Sequence, residues 1–172
     1  LYDVRVYLSN SDGMGIVFDT EDDAVIVDMT PPTAPGTPST ASPTKDTTPD
    51  WTWASAMDPA ILGGATPGSG MKGYWVKIGT TSGGDNVLAD FWVGNVLTWT
   101  TAPDLTPDGT YYLSVRAEDN VSNKGPWATG SVLIDTTAPG NPSDLDVTTP
   151  TNDTTPEVTW TEATDPGYPE SG

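Results

Sequence analysis

Gly109-Thr110-Tyr111-Tyr112-Leu113-Ser114-Val115-Arg116-Ala117-Glu118-Asp119-Asn120 is the stretch whose reading decides the fold. Tyr111, Leu113, Val115 and Ala117 fall on one face of an extended chain, and Tyr112, Ser114, Arg116 and Glu118 on the other. A period of two describes a strand with one buried face, whereas a helix would place apolar residues three and four apart. The pattern recurs upstream: Tyr2, Val4, Val6, Leu8 and Asn10 align with Tyr111, Leu113, Val115, Ala117 and Asp119 at an offset of 109.

The rest of the chain repeats as well. Asp46-Thr47-Thr48-Pro49-Asp50-Trp51-Thr52-Trp53 returns as Asp153-Thr154-Thr155-Pro156-Glu157-Val158-Thr159-Trp160, and Asp58-Pro59 as Asp165-Pro166, both at an offset of 107. Ala34-Pro35-Gly36-Thr37-Pro38-Ser39 matches Ala138-Pro139-Gly140-Asn141-Pro142-Ser143 at an offset of 104. A period near 105 exceeds that of solenoid repeats and equals one small domain. The expected organisation is therefore the last strands of one unit in 1–30, a complete unit in 31–137, and the first strands of a third in 138–172. Only the middle unit is long enough to close its own core. The chain reads as an internal stretch of a longer protein, with neither an initiator Met nor a signal peptide.

Between the repeats, 18 Gly and 17 Pro would break most helices, while alternating runs abound. Trp51 and Trp53, with Val158 and Trp160, share the inward face of a strand that follows Thr-Thr-Pro. Tyr74, Val76 and Ile78 face one way, Trp75 and Lys77 the other. Val87–Val93 and Val96–Thr100 read as strands joined by a hairpin turn at Gly94-Asn95, and Ser131–Asp135 closes the unit. With a short first strand near 36–42, seven strands result, the count of an all-β sandwich. The 7 Trp and 6 Tyr argue against a disordered Thr/Pro-rich stalk.

Charge narrows the function. Against 24 acidic residues stand 6 basic ones, for a net charge of −18. A phosphate backbone needs Lys and Arg to displace its counterions, so nucleic-acid binding is excluded as a working idea. Membrane insertion is not expected, because no apolar run approaches the length of a spanning helix. Without His or Cys there is no Ser-His or Cys-His pair and no ordinary zinc site, so the chain is not expected to be an enzyme.

The run from Asp108-Gly109-Thr110-Tyr111 through Asp119-Asn120 and Asn123, followed by Ile134-Asp135-Thr136-Thr137-Ala138-Pro139, resembles tandem bacterial immunoglobulin-like domains, which are also fibronectin type III-like. The resemblance implies seven-stranded sandwiches in tandem on a large extracellular protein. Leu105 before Gly109-Thr110-Tyr111 fits a tyrosine corner. Some related arrays bind Ca²⁺ between domains, and the matching positions are Asp28 and Asp135, with Asp119, Asp46 and Asp153 nearby in the sequence. The competing reading is that an Asp ahead of Thr-Thr-Pro caps a turn. The run Asp19, Glu21, Asp22, Asp23 is a further acidic candidate. Two departures bear on a repeated ligand site: Asn10 stands where the second unit has Asp119, and the first linker reads Asp28-Met29-Thr30-Pro31-Pro32.

Trp75, Trp92 and Trp127 lie out of phase with the inward residues, so they are candidates for an interface or for stacking on sugar. Asn120-Val121-Ser122 and Asn152-Asp153-Thr154 satisfy the glycosylation triplet. The expected function is mechanical: a spacer, filament or surface-layer array at the cell surface, stiffened by calcium and assembling with copies of itself. The alternative is a carbohydrate-binding or adhesive module of a secreted enzyme or phage fibre.

Overall fold

The computed structural model describes residues 27–60, 68–147, 149–150 and 152–166. It is all-β among these residues, with eight strands: β1 Asp50–Thr52, β2 Met71–Gly79, β3 Leu88–Gly94, β4 Thr98–Thr100, β5 Gly109–Asp119, β6 Ala128–Ile134, β7 Ser143–Val147 and β8 Val158–Thr161. The first six build a sandwich of two antiparallel sheets, β3-β2-β5-β6 and β1-β4, while β7 and β8 pair with each other.

Alternation produces the core as expected. Tyr74, Val76 and Ile78 from β2, Tyr111, Leu113, Val115 and Ala117 from β5, and Val132 and Ile134 from β6 are buried against Trp51 and Trp53. Each such side chain contributes about 1.5–3 kcal/mol by leaving water. Of the two core indoles, that of Trp51 is paired: its N–H donates to Thr101 Oγ1 at 3.0 Å, which donates on to the Pro49 carbonyl at 3.0 Å, whereas the Trp53 N–H is buried without an acceptor among the described residues. The tyrosine corner forms, with the Tyr111 hydroxyl donating to the Pro107 carbonyl at 2.7 Å above a fully buried Leu105.

The expected first strand is reduced to two bridges that link the sheets. Ser39 pairs with Thr52 of β1, and Thr44 then pairs in parallel with Ile134 of β6. Pro residues within 31–43 withhold ladder donors, so no continuous strand can form. The crossing closes the β6 edge so tightly that a Cβ on Gly130 would lie 1.9 Å from the Pro38 carbonyl oxygen.

Three expectations need correcting. Gly94-Asn95 does not turn a hairpin: β3 pairs with β2 and β4 with β1, so this turn carries the chain from one sheet to the other. Gly94, at φ +82, supplies the left-handed residue for the change of direction. Ser114 and Glu118 were assigned to the wet face yet are buried, because other side chains cover them. Trp160 was assigned to a core, but it is 62 % exposed. Its strand pairs only with β7, and no second sheet lies across that hairpin among the described residues.

Candidate metal centre

One end of the sandwich gathers the linker that arrives from residue 27, the segment after β1 and the turn after β5. Each contributes an aspartate, and one carboxylate oxygen from each of Asp28, Asp58 and Asp119 lies within 4.8 Å of the others. Asp119, at the end of β5, is buried. Its Oδ1 accepts the Val121 N–H at 3.0 Å and the Asn123 N–H at 2.8 Å, and Oδ2 accepts the Asn123 side-chain amide at 2.7 Å. Asp28 Oδ1 accepts the Thr30 N–H at 3.0 Å and Oδ2 the Ser69 N–H at 2.8 Å. The Thr30 bond first, then that of Ser69, holds the Asp28 pKa below its ordinary 3.8 against a smaller opposing effect of burial. Asp58 Oδ2 accepts the Gly70 N–H at 2.6 Å, and Asp58 Oδ1 is buried with no hydrogen-bond donor.

Three converging carboxylates repel one another, and a buried acceptor without a donor carries the desolvation cost of that atom. A hard divalent cation removes both penalties. Calcium takes six to eight oxygens at 2.3–2.6 Å, so oxygens sharing one ion lie up to about 5 Å apart. The three aspartates meet that spacing and supply only hard oxygen donors. The residues fit calcium. No step of chemistry beyond charge neutralisation and cross-linking follows from them.

Of the five aspartates singled out from the sequence, the fold brings together two, Asp28 and Asp119. The other three cap turns. Asp46 Oδ1 accepts Thr48 N–H at 2.9 Å and Thr48 Oγ1 at 3.2 Å, and Asp153 Oδ1 accepts Thr155 N–H and Oγ1 at the same distances. Asp135 Oδ1 accepts the Thr137 N–H at 3.1 Å. For these three the turn-capping reading accounts for the side chain. Asp58, which is not among the five, joins them, and its repetition as Asp165 is the signal that could have found it. The acidic run 19–23 lies outside the described residues.

The out-of-phase tryptophans lie on the outer face of the β3-β2-β5-β6 sheet, and they are half-buried. Trp75 and Trp92 meet edge to face, with centroids 5.4 Å apart and planes at 61°. Lys124 lies 4.2 Å over Trp75, Lys72 5.7 Å over Trp92, and Lys77 and Arg116 lie 4.6 and 4.3 Å from the Trp127 ring. These rings are neither coplanar nor bare, which is a poor platform for stacking on sugar. Under them Glu118 accepts the Lys72 ammonium and the Trp75 indole N–H, both at 2.5 Å, with Lys124 at 3.8 Å. Burial works against the charge of Glu118, but those donors hold its pKa below the ordinary value. The Asn120 side-chain amide donates to the Ser69 carbonyl at 2.8 Å, so it already serves the loops around the three aspartates. Asn152 is exposed.

No family model matches the sequence. Among solved structures, the chain is similar to Streptomyces avermitilis alpha-L-rhamnosidase complexed with L-rhamnose, with a TM-score of 0.46 and 18% identity, over 61% of this chain and 11% of that one. It is also similar to the FN1–FN3 domains of chicken CNTN1, with a TM-score of 0.40 and 15% identity, over 94% of this chain and 53% of that one. The chain therefore spans a small part of the first and about half of the second. The strand order itself, β3-β2-β5-β6 against β1-β4, defines an all-β sandwich of the fibronectin type III-like kind.

Proposed function

We propose that this chain is part of a tandem array of immunoglobulin-like spacer domains in an extracellular structural protein, a stalk, filament or surface layer, whose junctions are fixed by calcium. The observation that carries the reading is the origin of the three aspartates. By the sequence repeat, Asp28 ends one unit, as Asp135 ends the next, whereas Asp58 and Asp119 belong to the unit that follows. An ion held by all three ties two consecutive units together at the point where Thr30-Pro31-Pro32 already restricts the backbone. Asp28 supplies the tether, Asp119 the buried anchor, and Asp58 the oxygen with no other partner. Calcium, when bound, supplies positive charge and multidentate coordination.

The same offset pairs Asp135 with Asp165 at the next junction, so the arrangement has the ingredients to recur along an array. At the preceding one, Asn10 replaces the buried anchor, which makes that junction the weaker site. The net charge of −18 supports the reading twice over, by keeping rods apart and by concentrating divalent cations near them.

The test is thermal unfolding and small-angle scattering of the chain with calcium and then with excess chelator. Calcium should raise the midpoint and narrow the distribution of shapes, and chelation should reverse both. A chain indifferent to calcium in both measurements would reduce the three aspartates to loop-ordering side chains.

A further inference from the structure

Four of the chain's six basic residues, Lys72, Lys77, Arg116 and Lys124, stand on a single face, interleaved with three of its seven tryptophans. Among the described residues, only two carboxylates pair with them there. Glu118 takes Lys72 and Lys124, and Asp90 takes Arg116 at 2.5 Å. Lys77 has no carboxylate partner among the described residues and rests on Trp127 alone. The face is thus net positive on a chain whose total is −18. At its margin the β3 edge pairs with nothing beyond β2 among the described residues. Half-buried indoles and stacked cations lose little freedom on docking, which suits them to an interface.

We infer that this face docks a second copy of the chain. The complement is on the opposite side of the same sandwich. The outer surface of β1-β4 carries Asp50, Thr52, Thr98 and Thr100, all exposed. Exposed Asp46 and Asp104 flank it, on segments tied together by Leu105 N–H to Thr47 carbonyl at 2.8 Å. A contact between the front of one copy and the back of the next is heterologous and does not close, so it propagates laterally. The inference rests on the array reading but is independent of the calcium site, whose failure would show as a missing calcium response.

Charge sets an unusual salt dependence. Two copies at −18 repel over long distances when salt is low, whereas the local pairing acts at contact. Association should therefore be weak at about 0.01 M salt, strongest near about 0.15 M where the screening length is about 8 Å, and weak again at about 1 M. Sedimentation velocity of the full chain across this range is the experiment. Lys77→Glu with Arg116→Glu should lower the association constant by about tenfold or more at the optimum. Ser131→Glu, exposed on the same face in β6 opposite Tyr112, should do likewise. The swap Lys77→Glu with Asp50→Lys should restore association. A chain that is monomeric at every salt concentration overturns the inference. So does association insensitive to these charge changes, or binding to an anionic polysaccharide with none between copies.

Discussion

The two linkers of the central sandwich open with one and the same turn and are then held by different chemistry. Asp28 caps Thr30 at 3.0 Å on the incoming side, and Asp135 caps Thr137 at 3.1 Å on the outgoing side. Beyond the cap, Asp28 accepts the Ser69 N–H through its second oxygen at 2.8 Å and lies with one carboxylate oxygen within 4.8 Å of those of Asp58 and Asp119. On the outgoing side the Thr136 and Thr137 hydroxyls each donate to Asp108 at 2.7 Å. Hydroxyls answering a carboxylate complete themselves, whereas carboxylates drawn together repel one another unless a proton or a cation lies between them. The difference teaches that an Asp-x-Thr linker is a neutral local device, and that its partners decide whether it becomes a metal ligand.

The sharpest way to break the comparison is Asp119→Ala. It would remove the acceptor of the Val121 and Asn123 N–H groups in a partly buried turn, at a cost of about 1–3 kcal/mol, and abolish any calcium response. Chemical denaturation with and without calcium measures both effects. Next in size is the ligand itself. Calcium at a hundredfold excess over its dissociation constant should stabilise the chain by about 2.7 kcal/mol. Asp58→Asn should remove that gain and slightly raise metal-free stability, because it takes one charge from the carboxylate group and relieves an oxygen that has no protein donor.

Acid should affect both linkers, with a common sign. Asp28 and Asp108 have folded pKa values below the ordinary 3.8, the first through backbone N–H donors and the second through the Thr137 and then Thr136 hydroxyls. Each therefore contributes stability that is fully present above about pH 4–5 and lost as pH falls through the folded value. Thermal midpoints should be flat from neutrality down to that range and fall below it. The calcium increment should vanish within the same descent, as protons compete for the ligands. The smallest effect belongs to the outgoing linker alone. Thr136→Val with Thr137→Val should speed amide exchange at 135–137 without moving the calcium response.

The core was legible because burial follows period two: every inward residue assigned to β5 is buried. The sheet assignments at Gly94-Asn95 were not, since a hairpin and a crossover between sheets call for the same turn residues. Trp160 shows a further boundary. Its sequence environment repeats that of Trp53, but the Tyr74 ring that meets Trp53 edge-on at 5.8 Å has no counterpart against β8 among the described residues. At the candidate site, proximity in sequence misled. Asp46 and Asp153 open a repeated Asp-Thr-Thr-Pro motif yet serve turns, while Asp58 reaches Asp119 only through folding. The tryptophan ladder was half legible, in that alternation placed the rings outward but could not show cations lying over them.

The most direct test of the central claim is a calcium titration of the full chain followed by amide chemical shifts. The account predicts that Ser69, Gly70, Val121 and Asn123, whose N–H groups bind the three aspartates, shift together and saturably, and that Asp58→Asn silences them. Shifts scattered over Asp46 and Asp153, or none at the four amides, would contradict it.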